Sequence, residues 1–359
     1  MKSLDYAAAG AAAIINKYKP EELPPSNKFH YHQGVFLTGV ERLYNIMGDL
    51  EYSEYIKKWV DYNIDADGNA PRCRFTEFDD IQPAVLLFRL YSETGDKRYK
   101  IMLERVNDVL EKWPTNAVGG VWHKYQNKNQ MWLDSMYMMG VISAKCADFF
   151  DNEYMYAKIH TQMRLMRDNM TDPKTGLMYH MWDDSRCADF IDSETGCVQV
   201  HWGRAMGWYL AALAEIIEIL PDSSAFKNDF ENTLKVYFSA VRKYQDKDTG
   251  LWYQVLDKGN DKRNWYETSC SALFVYAAAK AKNNGIIGNE YDDMIKNGYL
   301  GVIGKTSIDN GLLELNGVCI GTGINYIEGY YSRPVVTNDL HGMGAFLLMC
   351  TEVSKSFDL

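Results

Sequence analysis

Two stretches of this chain repeat one pattern: Asp172-Pro173-Lys174-Thr175-Gly176-Leu177-Met178-Tyr179-His180 and Asp246-Lys247-Asp248-Thr249-Gly250-Leu251-Trp252-Tyr253-Gln254. Weaker echoes occur at Gly119-Gly120-Val121-Trp122-His123 and at Asn310-Gly311-Leu312-Leu313-Glu314. The glycines are separated by lengths that fit a helical hairpin plus a loop. Between them the apolar residues fall at helical spacing. Residues 29–50 place Val35, Leu37, Val40, Leu43 and Tyr44 on one face, Gly48-Asp49 ends the run, and a second helix follows from Tyr52 to Tyr62. The same grammar predicts helices over 79–91, 99–113, 132–150, 153–169, 202–220, 226–244, 268–281, 291–303 and 339–353, with a first amphipathic helix around Ala7 to Ile15. An all-α chain of helix pairs results.

A closed ring aims such loops at one point, whereas an open α-solenoid, the competing architecture, spreads them along a rod. The loops end in aromatic and ligand-type side chains, which favours the ring: an α/α toroid formed by residues 1–359 as one domain. Inner helices would line a cup and outer helices would face water. With 47% hydrophobic residues the 359-residue chain can fill such a core.

Charge and motif content exclude several functions. A formal charge of −10 leaves no dense positive footprint for nucleic acid or an anionic membrane surface. No apolar run reaches the roughly 18 residues of a membrane span. The seven cysteines, irregularly spaced, form neither a disulfide framework nor a CxxC metal site; reduced thiols place the protein in the cytoplasm, or in the periplasm if a leader is removed. No P-loop, GxSxG or HExxH occurs, so no cofactor and no metal is expected. Oligomeric state is left open.

Acid–base chemistry on a sugar remains. With 9 Trp, 25 Tyr and 14 Phe the chain is rich in rings for stacking on a carbohydrate. In Gln130-Met131-Trp132-Leu133-Asp134-Ser135-Met136 one carboxylate sits among apolar neighbours; burial there is expected to raise its pKa, making Asp134 the candidate proton donor. Its competing role is a helix N-cap. Asp79-Asp80, ahead of Pro83, is either a pocket acid or a cap. His123 and His180 each follow an aromatic at the end of a Gly-led loop. Arg204, in His201-Trp202-Gly203-Arg204 ahead of Trp208, requires an anionic partner, either a ligand carboxylate held in bidentate fashion or an internal Asp. It is also the fixed cation expected beside the aromatics.

The segments VWHKYQNKNQMWLDSMYM, MYHMWDD, HWGRAMGWY and GTGINYIEGYYSRPVVTNDLHGMGAFLLMCTEV together resemble the unsaturated rhamnogalacturonyl hydrolases, relatives of the unsaturated glucuronyl hydrolases. The resemblance spans residues 29–353. It implies an (α/α)6 barrel that removes a 4,5-unsaturated uronic acid from pectin-lyase oligosaccharides by hydrating the vinyl ether. The carried-over positions are Asp134 as general acid and base, Asp79 as second acid, and Trp132, His123, His180, Trp202, Arg204 and Trp208 around the substrate. Tyr31 and His32 compete for the first-helix position. A glucuronyl hydrolase, another sugar enzyme on the same toroid and a non-catalytic helical scaffold are the alternatives.

Overall fold

The Gly-Asp pairs explain why the chain folds back so often. At Gly48 and Gly95 the backbone is left-handed (φ 72° and 66°), a conformation glycine adopts without steric cost. The aspartate that follows then starts the next helix: Asp49 accepts from Glu51 N at 3.0 Å and Asp96 from Arg98 N at 3.0 Å. One helix stops and its partner starts within two residues.

The computed structural model describes residues 1–359. Its α-helices are α1 (Ser3–Ile15), α2 (Tyr31–Met47), α3 (Leu50–Asn63), α4 (Leu87–Thr94), α5 (Lys97–Glu111), α6 (Val141–Phe150), α7 (Glu153–Met170), α8 (Gly203–Ile219), α9 (Lys227–Arg242), α10 (Thr268–Asn283), α11 (Asp292–Ile303), the short α12 (Ile327–Tyr331) and α13 (Leu340–Val353). In the inner ring α2 meets α4 through a 3-10 segment, Gln82–Leu86; α6, α8, α10 and α13 follow, and α13 returns to α2. The outer partners are α3, α5, α7, α9, α11 and, against α13, α1. This is the (α/α)6 barrel. α8 and α10 are buried along almost their whole length, as expected of helices walled on all sides.

Two predicted helices start later than their sequence pattern suggests. Pro83 removes a backbone donor, so 78–86 runs as two 3-10 segments before α4 begins. Trp132 belongs to a short strand, β1 (Gln130–Trp132), paired antiparallel with β2 (Met181–Asp183). After a turn at 133–135 the chain enters a π-helical segment, Met136–Gly140, that leads into α6. Asp134 therefore lies at the mouth of the barrel, ahead of a helix.

The repeated loops share one internal geometry. Asp172 N donates to Leu177 O at 2.8 Å and Gly176 N to Asp172 O at 2.8 Å; in the second copy the equivalent distances are both 2.9 Å. A third copy, Asp192-Ser193-Glu194-Thr195-Gly196-Cys197, makes the same two bonds and carries the same Asp-x-x-Thr-Gly pattern.

Candidate active site

Inner helices bring their first residues to one end of the barrel. Tyr31 and His32 open α2, Trp202 is the N-cap of α8, and Asp134 precedes the segment feeding α6. These side chains border a cavity of about 220 Å³ with His30, Asp79, His123, Lys124, Trp132, Met138 and the loop Gly321-Thr322-Gly323. Helix N-termini carry partial positive charge, so this end favours an anionic ligand although the protein is acidic overall.

Asp134 is the centre of the arrangement. Its Oδ2 is 2.9 Å from His180 Nε2, and His180 Nδ1 is 2.7 Å from the Tyr330 hydroxyl, giving a buried line Tyr330–His180–Asp134. The side chain caps no helix, so the competing role falls away. Its other oxygen has no partner within the protein. Burial is the largest influence on the Asp134 carboxyl and pushes its pKa up, but the charge and hydrogen bond of His180, helped by His123, outweigh it. The net shift is downward, which corrects the expectation of a raised pKa: Asp134 rests as a carboxylate, and the ring that holds it so lies 46 residues away in the chain, beyond its local neighbours.

Asp79 and Asp80 diverge. Asp80 pairs with Arg74 at 2.6 Å, outside the cavity. Asp79 faces the cavity, with Lys124 Nζ at 3.1 Å and His123 Nε2 at 3.5 Å. Burial raises its pKa most, yet His123 and Lys124 together hold it well below the ordinary carboxylate range. His123 is fixed by Ser135 Oγ at 2.9 Å and stacked on Trp132 (centroids 4.5 Å, planes 15° apart), so the Trp132 ring stands as a rigid wall.

Three expected substrate contacts lie one layer further back. His180 is fully buried behind Asp134. Trp208 is buried against Tyr31 and Tyr137 and does not border the cavity. Arg204, also buried, extends beneath the cavity loop: one terminal nitrogen donates to Cys319 O at 2.7 Å and the other to Ile320 O at 2.8 Å. The bidentate carboxylate partner expected from the sequence is here replaced by two carbonyls, with Glu267 at 3.9 Å and the Trp202 ring at 4.5 Å. Arg333 grips the same loop from the other side through Gly321 O and Thr322 Oγ1.

Sequence reasoning missed Lys124, His30, Tyr330 and the Gly321–Gly323 loop. Lys124 adds a second cation, on the cavity wall itself, 5.5 Å from the Trp132 ring centroid. Its signal was adjacency to His123; Tyr330 and the loop were visible only as parts of the C-terminal motif.

The chain belongs to Glycosyl Hydrolase Family 88, whose profile it matches over residues 7–357. It is 25% identical, over 99% of its own length and 98% of the relative's, to the unsaturated rhamnogalacturonyl hydrolase YesR of Bacillus subtilis (strain 168). The solved structure of a Family 105 glycoside hydrolase from C. acetobutylicum ATCC 824 superposes with a TM-score of 0.93 at 32% identity, covering 98% of this chain and 99% of that one. The unsaturated glucuronyl hydrolase of Bacillus sp. GL1 shares the fold, with a TM-score of 0.75 at 13% identity over 99% and 96% of the two chains. No helix is long and apolar enough to cross a membrane.

Proposed function

We propose that the enzyme removes a 4,5-unsaturated galacturonyl residue from the non-reducing end of pectin-lyase products, with the unsaturated rhamnogalacturonan disaccharide as its substrate. The observation that carries this reading is Asp134: one oxygen is held by His180, and the other is open to an aromatic-walled cavity on the scale of a single sugar ring. One positioned acid–base group suffices for hydrating a vinyl ether. The separation of two carboxylates, which distinguishes retaining from inverting hydrolysis at an anomeric carbon, is then not the relevant measure.

In this mechanism Asp134 must carry a proton when the sugar is in place. A bound uronate adds negative charge beside Asp134 and Asp79 and expels water, and both effects favour the protonated form. Asp134 then protonates carbon 4. Water adds at carbon 5 and returns its proton to the Asp134 carboxylate. The hemiketal so formed opens and releases the aglycone. Trp132, Trp202 and Tyr31 frame the ring, while Asp79, held ionised, accepts hydrogen bonds from sugar hydroxyls. Lys124, the helix N-termini and the loop gripped by Arg204 and Arg333 supply the positive environment for the carboxylate. The seven free cysteines support a reducing compartment.

The test is the ultraviolet absorbance of the 4,5-double bond, followed across unsaturated rhamnogalacturonan, homogalacturonan and glycosaminoglycan disaccharides. Fastest loss on the first supports the proposal. Faster loss on a glycosaminoglycan product would reassign the enzyme to glucuronyl substrates, and no loss on any of them would remove vinyl-ether hydration.

A further inference from the structure

Where the ring closes, the first turn of α2 meets the first turn of α13, and three metal-ligand side chains converge: His32, Asp339 and His341. One ligand atom from each lies within 4.8 Å of the others. Asp339 Oδ1 is 3.6 Å from His32 Nε2 and 2.7 Å from His341 Nδ1. Asp339 Oδ1 caps α13 by accepting from His341 N at 3.3 Å, and the ring Nδ1 of the fully buried His341 approaches the same oxygen without the geometry of a hydrogen bond, leaving its Nε2 also without a partner. Burying an imidazole with both nitrogens unsatisfied is costly. The cap fixes Oδ1 beside Nδ1, and a third atom bound to both would take up the lone pair that the ring nitrogen leaves unused.

The surroundings also suit a ligand set. His32 Nδ1 is 3.0 Å from His30 Nδ1, so in the tautomer where His32 donates to His30 its Nε2 keeps a lone pair on the Asp339 side. The His32 and His341 rings lie edge to face with centroids 5.0 Å apart. His32 and Asp339 are partly exposed, so the cluster is in contact with solvent.

We propose that His32, Asp339 and His341 form a binding site for a divalent transition-metal ion, which joins the first and last inner helices. Two imidazoles and one carboxylate form a nitrogen-rich set suited to zinc and its first-row neighbours; calcium and magnesium favour oxygen donors. None of the three residues is Asp134 or Asp79, but His32 also borders the catalytic cavity, so the test reads zinc binding directly and not turnover.

The experiment uses the full chain after dialysis against a chelator. Zinc titrated calorimetrically should bind at one equivalent, and saturating zinc should raise the thermal midpoint by a few degrees. Cobalt as spectroscopic substitute should give visible d–d bands without the intense cobalt–thiolate charge-transfer absorption. His32→Gln and His341→Gln should each weaken zinc affinity at least about tenfold. His32→Gln is the safer variant, since its side chain is partly exposed; its fold is checked by circular dichroism. Absence of zinc binding to the parent chain, a thiolate band, or unchanged affinity in folded His32→Gln would each overturn the site.

Discussion

Both ends of the inner ring bury carboxylates, but they treat them differently. Away from the catalytic cavity Glu215 is enclosed by cations: Arg42 donates to both its oxygens at 3.0 and 2.8 Å, Lys280 stands at 3.7 Å, and the Tyr276 hydroxyl donates as well. Nearby, Arg89 pairs with Glu41 and Glu93. At the cavity end Asp134 is hydrogen-bonded by one histidine, whose own pKa burial pushes down, and has one oxygen without a partner. A carboxylate surrounded by fixed cations has no proton to offer at any working pH. A carboxylate balanced between burial and one imidazole can have its pKa moved by what binds beside it. The difference separates an acid that holds the barrel together from one that can do chemistry.

Four measurements would break or sharpen that contrast. The largest effect is expected from Asp134→Asn, which should keep the parent's thermal midpoint within a few degrees and lower turnover by about 10²- to 10⁴-fold, the range of general acid–base catalysis. Activity within a few-fold of the parent would place the proton donor elsewhere.

Glu215→Gln should do the reverse. It leaves Arg42 without its buried counter-charge, although Lys280 keeps Glu218 at 2.6 Å, and should cost about 3–5 kcal/mol in denaturant unfolding, while the folded fraction keeps its turnover. Burial pushes the Glu215 carboxyl up, but Arg42 and Lys280 hold it down at about 2 against an ordinary 4.5. Because the folded pKa is depressed, the stabilisation is fully present above about 4.5 and is lost as pH falls toward 2. The variant should lack that component of the acid transition, and an acid profile identical to the parent's would contradict the assignment.

Arg204→Lys keeps the charge but loses the fork that spans two carbonyls. A charge-assisted hydrogen bond is worth about 1.5–3 kcal/mol, so KM should rise roughly tenfold or more. If Arg204 acts by shaping the loop, the penalty should be equal on a free uronate and on its methyl ester. A penalty confined to the free acid would mean that the guanidinium leaves the carbonyls and turns to the substrate.

The smallest effect belongs to Tyr330→Phe, which removes the hydroxyl from His180 Nδ1. We expect a few-fold fall in kcat, an unchanged KM and a displaced pH profile of kcat, because His180 sets the proton affinity of Asp134. A change in stability alone, with the profile intact, would make Tyr330 a packing residue.

The same contrast explains what the sequence could disclose. Gly48-Asp49, Gly95-Asp96 and the Asp-x-x-Thr-Gly loops act through neighbours in the chain, so hairpins and a ring were legible from them. Asp134, Asp79, His123 and Trp132 could be named because each stands at the end of a local pattern. The ionisation of Asp134 could not, since it depends on His180 and, through it, on Tyr330, 150 residues further along. Arg204 shows the same limit. Its need for acceptors was evident, but those acceptors are backbone carbonyls 115 and 116 positions away, and carbonyls leave no mark in a sequence.

Ring closure gives the chain an order in time. The cavity draws on residues from His30 to Gly323, and the wall behind His32 is completed by Asp339 and His341 of the last helix. Ser3 N, moreover, bonds Leu359 O at 2.6 Å, so α1 and the segment after α13 are neighbours. Contacts of such long sequence separation are slow to form, because the entropy of closing the intervening loop is lost before any packing compensates. On the ribosome, helices α1 to α11 emerge and can pair locally while the gap between α2 and α10 stays open. A chain without α13 would be an incomplete ring, with the apolar faces of α2 and α10 that α13 covers left open.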